Sequence, residues 1–297
     1  MQNKKIVIAG GTGLIGSALA LHAQASGHEV IILSRGRSHI GAGRLVQWDA
    51  RTPGRWLEEI EQADIVVNLC GANIGAGRWT QARKREIRES RFQPAKCLLE
   101  AITQVGTQPY LLQASAVGFY GPTETPVDEA ARPGNDFLAD LAVEWEDQTA
   151  PYTGPCLIAR FGVVLAPQGG VLPRLCLPFR LFVGGPLGSG EQWFPWVSLE
   201  DTVGAMVFAL ERGMTGPLNI VAPAPVANRY LAQALGETLN RPSFMPTPGF
   251  ALRALLGEQA SLLLEGQCVT PRKLLESGFE FSHPDIHTAL QAALKRQ

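Results

Sequence analysis

Ile6-Val7-Ile8-Ala9-Gly10-Gly11-Thr12-Gly13-Leu14-Ile15-Gly16 starts as a short β-branched run and then places four glycines within seven residues. The run suits a strand buried on both faces of a parallel sheet. The glycines satisfy both GxxGxxG and GxGxxG, and Ser17 to Ser26, rich in Ala and Leu and closed by Gly27, predicts a helix. Strand, glycine turn and helix in that order is the setting in which this pattern holds a dinucleotide. The early glycines permit the tight turn, and Gly13 lets the backbone approach a pyrophosphate whose charge the helix N-terminus favours. Gly16 lets the helix lie close on the sheet. The predicted cofactor contacts here are Gly10, Gly11, Thr12, Gly13, Leu14, Ile15 and Gly16.

Outward from the turn, Val30-Ile-Ile-Leu33 is a second buried strand and ends in Ser34-Arg35, with Arg37 close behind. A chain built for NAD places an acid here, about 20 residues past the glycines, on the ribose 2′-hydroxyl. A hydroxyl and a guanidinium suit a 2′-phosphate instead, because Arg presents a fixed donor fork. Ser34 and Arg35 therefore predict NADP(H) in preference to NAD(H). The competing reading leaves Arg35 solvated and NAD bound.

Further strands are predicted at 45–48, 64–69, 110–114, 156–161 and 218–221, with helices over 80–105, 136–149, 199–212 and 228–239. Alternation of this kind implies βαβ crossovers and an α/β Rossmann fold with a doubly wound parallel sheet. Past Ala166 the texture changes to a Pro- and Gly-rich stretch carrying Trp193, Phe194 and Trp196. The predicted division is a nucleotide-binding domain over 1–165, rejoined by 196–224. A smaller C-terminal substrate-capping region takes 166–195 and 225–297.

Composition narrows the function classes. With 26 basic and 27 acidic side chains the formal charge is -1, which supplies no general drive toward nucleic acid or an anionic membrane. Five cysteines at least 20 residues apart form no CxxC pair, which argues against a zinc site or a disulfide framework. Lys4-Lys5 followed by an apolar stretch imitates a signal peptide, but the glycines interrupt it. No apolar run approaches the roughly 18 residues of a membrane span. The expectation is a cytoplasmic protein with a small-molecule substrate. The one basic cluster, Arg83 to Arg91, is interleaved with Glu86 and Glu89 and reads as a solvated helix face.

The chain resembles the extended short-chain dehydrogenase/reductase superfamily and, more closely, YfcH-type proteins of the epimerase family. The resemblance rests on Gly10 to Gly16, Asp64-Ile-Val-Val-Asn-Leu-Cys-Gly-Ala72 and Ser115-Ala-Val-Gly-Phe-Tyr-Gly121. Arg160 to Leu165, Gly184 to Gly190, Phe194 to Asp201 and the tail around Leu263 to Gln267 extend it over nearly the whole chain. It implies that Asn68 and Leu69 line the adenosine half of NADP(H), with Cys70 and Gly71 also among the cofactor contacts. It also implies that Arg85 and Ser90 reach the cofactor and that Val163 lies near the nicotinamide. Homodimers are common among such proteins.

One departure stands out. The superfamily carries Tyr-x-x-x-Lys on the helix after the fifth strand, yet none of the six lysines here has a Tyr four residues before it. Phe137 and Leu141 fall at the corresponding positions, and neither transfers a proton. Ser115 and Tyr120 remain as candidate catalytic groups near a reacting oxygen. General acid/base help is worth roughly 10²–10⁴ in rate, so its loss is costly without abolishing hydride transfer. Two functions follow: an epimerase-like NADP(H) oxidoreductase acting on a small carbonyl or sugar-like compound, or a non-catalytic NADPH-binding redox sensor or partner-binding protein.

Overall fold

The computed structural model describes residues 3–36 and 41–294; Arg37 lies outside them. The first half of the chain runs β1 (Lys5–Ala9), α1 (Leu14–Ala25), β2 (Glu29–Ser34), β3 (Arg44–Gln47), α2 (Leu57–Glu61), β4 (Ile65–Asn68), α3 (Gln81–Val105), β5 (Tyr110–Ala116), α4 (Phe137–Asp147) and β6 (Cys156–Phe161). Then follow β7 (Val163–Leu165), α5 (Leu172–Arg180), β8 (Trp193–Phe194), β9 (Trp196–Ser198), α6 (Leu199–Glu211), β10 (Gly216–Ile220), β11 (Val226–Ala227) and α7 (Asn228–Leu239). The tail carries α8 (Gly249–Leu256), α9 (Ser261–Leu264), α10 (Arg272–Glu276) and α11 (Ile286–Leu294).

Seven strands form one parallel sheet in the order β10-β6-β5-β4-β1-β2-β3. All residues of β1 and β4 are buried, which explains why they read as unbroken Val/Ile runs. Strand order reverses between β1 and β4, and in doubly wound sheets ligands bind outside the carboxyl ends at that reversal. Leu19, Ala20 and Ala23 of α1 share a core with Val203, Met206 and Leu210 of α6. Ile60 of α2 and Cys97, Leu98, Ala101 and Ile102 of α3 belong to a separate core with Val7, Ile31 and Val66. The fold is the predicted Rossmann α/β architecture.

Helix boundaries follow capping chemistry. The Thr80 hydroxyl accepts from the Arg83 amide at 3.2 Å and Asp136 from the Ala139 amide at 2.8 Å, so both residues cap α3 and α4 rather than begin them. Gly106, left-handed at φ 72°, stops α3.

A second hydrophobic cluster joins α5, α7 and α11 through Leu172, Phe179, Leu231, Leu235 and Leu290. Trp196 is 1 % exposed within it, and its indole N–H donates to the Ala224 carbonyl. The aromatics of the Pro- and Gly-rich stretch thus divide. Trp196 is core, while Trp193, half-buried, donates to the Glu124 carbonyl. The tail also crosses back: Leu274 enters the main core, and Phe279 packs edge-on against Phe208 at 5.4 Å.

Candidate functional site

The carboxyl end of β1 is built around missing Cβ atoms. Gly10 is left-handed at φ 79°, and a Cβ there would stand 2.8 Å from the Leu69 carbonyl group. A Cβ on Gly16 would stand 2.5 Å from the Gly10 carbonyl oxygen. The Gly13 amide closes the turn by donating to that oxygen at 3.0 Å. No side chain caps α1, whose first residues follow the exposed Thr12 and Gly13. An uncapped N-terminus behind an exposed glycine turn offers backbone donors and positive dipole to an anion. These residues fit a dinucleotide pyrophosphate. Leu14 and Ile15 are half-buried, and Leu14 packs beneath Gly169 and Gly170, which roof the turn.

At the end of β2 the two candidates differ. Ser34 is buried and its hydroxyl accepts from the Gly36 amide at 3.2 Å, whereas Arg35 is exposed and forms no ion pair among the described residues. Arg35 stands close enough to Cys70 to act on it. Burial pushes the Cys70 thiol up to about 12, and the guanidinium opposes that shift. Cys70 is therefore a neutral wall of the cleft rather than a reactive thiolate.

At the end of β4, Asn68 is wholly buried. Its amide donates to Gln113 at 2.9 Å and its oxygen accepts from the Cys70 amide at 3.2 Å, which fixes the path of Leu69, Cys70 and Gly71. Ser90 serves the same loop: its hydroxyl accepts from the Ala72 amide and donates to the Ile87 carbonyl, both at 2.9 Å. Arg85 is exposed on α3. The inward guanidinium belongs to Arg91. It donates to the carbonyls of Ile87 (2.9 Å) and Ala72 (3.3 Å), lies 5.1 Å from the Trp145 ring centroid and packs beneath Gly71. Burial, with Arg83 adding repulsion, pulls Arg91 down to about 10, so it stays protonated at neutral pH. It has no carboxylate partner among the described residues. The basic segment is thus not only a solvated face. Arg91 follows the buried Ile87 by one helical turn, a spacing that marks it as inward-facing.

Ser115 and Tyr120 sit together, but inside the protein. The Ser115 hydroxyl donates to Glu146 at 2.5 Å, and Arg160 grips the same carboxylate with two bonds at 2.8 and 2.7 Å. Arg160 also donates to the Tyr120 hydroxyl at 3.0 Å, which donates to Asn219 at 2.7 Å. Burial pushes the Tyr120 hydroxyl up. Ser115 and Tyr120 are 3 % and 4 % exposed, and both hydroxyl protons are committed, to Glu146 and to Asn219. Expected beside a reacting oxygen, these hydroxyls instead lace β5, α4, β6 and β10. Sequence spacing could not reveal this, because Glu146 and Arg160 lie 31 and 45 residues from Ser115.

The helix that carries the superfamily's Tyr and Lys presents apolar groups. Leu138 faces Gly118, Phe137 packs edge-on against Trp79 at 5.2 Å, and Leu141 is buried with Trp79 and Ile87. Val163, half-buried just past β6, receives its position from the Pro195 carbonyl, to which its amide donates at 2.6 Å.

A family model described as the NAD dependent epimerase/dehydratase family matches residues 6–221, and a domain of unknown function, DUF1731, matches residues 247–293. Epimerase family protein ML0860 of Mycobacterium leprae is 41 % identical over 297 residues, covering 98 % of this chain and 96 % of its own. The crystal structure of human epimerase family protein SDR39U1 (isoform 2) with NADPH is 36 % identical, with TM-score 0.88 over 98 % of this chain and 99 % of that one. MoeE5 in complex with UDP-glucuronic acid and NAD shares the fold at 18 % identity and TM-score 0.80, covering 98 % of each chain.

Proposed function

This chain belongs to the NAD dependent epimerase/dehydratase family, and on that premise we propose that it is an NADP(H)-binding, epimerase-like oxidoreductase acting on a small carbonyl or sugar-like compound. The observation that carries the reading is the uncapped glycine turn flanked by two guanidiniums without carboxylate partners among the described residues, Arg35 and Arg91. In it, Gly10 to Gly16 hold the pyrophosphate, Ser34 shapes the β2 turn and Arg35 binds the 2′-phosphate. Asn68 positions the Leu69–Gly71 loop against the adenosine half, and Ser90 and Arg91 hold that loop from below. Bound NADPH supplies a hydride. The residues around it exclude water and fix the path of approach, and Val163 lines the nicotinamide end. The NADPH in the human relative's structure supports the choice of cofactor.

A second reading, a protein that binds NADPH without turning it over, is favoured by Phe137 and Leu141 on α4 and by the two committed hydroxyls. Arg91→Ala separates the site from mere fold inheritance. It should weaken NADPH and NADH alike by about tenfold or more, the scale of one charge-assisted bond, while Arg85→Ala leaves both unchanged. Equal effects of the two substitutions would contradict the assignment. Loss of reduced-nicotinamide absorbance against a panel of aldehydes, ketones and nucleotide sugars then distinguishes enzyme from binder.

A further inference from the structure

Most of the exposed large hydrophobics fall in two segments, 177–183 and 244–255. Leu177, Leu181, Phe182 and Val183 stand on the end of α5 and just beyond it. Phe244 and Met245 lie alongside, because the Met245 amide donates to the Gly184 carbonyl at 3.1 Å and Thr247 to Pro186 at 2.9 Å. Phe182 occupies the left-handed region at φ 64°, where a helix normally ends in glycine. A bulky residue there is strained, and Phe182 is 57 % exposed. Local propensity does not account for an aromatic at that position.

Along these two stretches of sequence the charge has one sign. Between Asp147 and Glu191, and again between Glu237 and Glu258, the chain carries no acid. The same intervals supply Arg174 and Arg180, and Arg241 and Arg253. The Arg241 guanidinium lies 4.6 Å from the Phe182 ring centroid, which places positive charge on the apolar residues themselves. A formal charge of -1 for the whole chain conceals this face. A second copy meeting it about a two-fold axis would set these arginine-bearing stretches against one another, with no acid in either. An apolar surface with basic residues at its edge suits an anionic interface into which side chains insert.

We propose that the end of α5 and the 241–247 segment form a docking surface for an anionic lipid bilayer. Phe182, Leu181 and Phe244 enter the acyl boundary, and Arg241 and Arg180 meet the headgroup phosphates. This attachment is peripheral; no helix among the described residues is long and apolar enough to cross a membrane. It is independent of the cofactor reading.

The test is co-sedimentation of the full chain with vesicles of phosphatidylcholine alone and of an equal mixture with phosphatidylglycerol. Pelleting should require phosphatidylglycerol and fall with added salt. Arg241→Glu should reduce partitioning by at least about fivefold, the worth of one basic residue near an anionic surface. Phe182→Gly should reduce it by about tenfold while leaving the melting temperature at or above the parent's, since glycine relieves the left-handed strain. The proposal is overturned by no pelleting with either vesicle, by equal pelleting with both, or by pelleting indifferent to both substitutions. A dimer in sedimentation velocity that Phe182→Gly abolishes would overturn it in favour of self-association.

Discussion

Gly16 packs a helix against a turn with no room for a single methyl group. Replacing it by Ala sets a Cβ 2.5 Å from the Gly10 carbonyl, so α1 must shift and the anion cradle deforms. Overpacking of this kind costs about 1–3 kcal/mol. Gly16→Ala should lower the urea midpoint accordingly and also weaken NADPH binding. Unchanged affinity in a folded variant would remove the turn from the site. Asp64 shows a milder residue-scale effect. Its hydrogen bond from the Lys4 ammonium, 2.8 Å, holds its carboxyl below the usual carboxylate range. A depressed folded value means stability that is present above the unfolded pKa of about 3.9 and lost as pH falls through the folded one. Asp64→Asn should therefore be less stable than the parent near neutrality and converge on it in acid. Both side chains are more than a third exposed, so the gap stays below about 1 kcal/mol. Urea midpoints at about pH 7 and about pH 3 read it out.

Elements were legible where periodicity and capping speak locally. The predicted strands and the 80–105 and 136–149 helices correspond to β1–β6, β10, α3 and α4, with Thr80 and Asp136 turning out to be caps. Side-chain direction was less legible. Arg85, Ser90 and Arg91 lie within two turns of α3, yet only packing decides that Arg91 enters the protein, Ser90 bonds backbone and Arg85 stays outside. Ser115 looks like a strand-end catalytic hydroxyl until β6 and α4 bring Arg160 and Glu146 to it. That cluster makes an element-scale prediction. Glu146→Ala strands the buried Arg160, which should cost about 3–5 kcal/mol in urea unfolding. Tyr120→Phe removes two hydrogen bonds, from Arg160 and to Asn219, and should cost less, about 2–3 kcal/mol. It should leave NADPH affinity unchanged. If Tyr120→Phe abolished turnover while the fold and affinity held, the phenol would return to the reaction.

At the scale of the molecule, the Rossmann body could be read from the sequence because its strands are buried on both faces and its glycines have steric reasons. The segments outside the Rossmann body resisted reading. Its cluster joins residues as distant as Leu172 and Leu290, and its tail returns to the main core at Leu274, Phe279 and Phe281. The central claim is that the turn after β1, Arg35 and the Leu69–Gly71 loop hold NADPH. Calorimetric titration of the protein and of Arg35→Ala with NADPH and with NADH tests it most directly. The account predicts tighter binding of NADPH, weakened by about 10- to 100-fold in the variant as a charge-assisted phosphate contact is lost, and NADH binding that the substitution barely alters. Equal binding of the two nucleotides by the parent, or no binding of either, would contradict it.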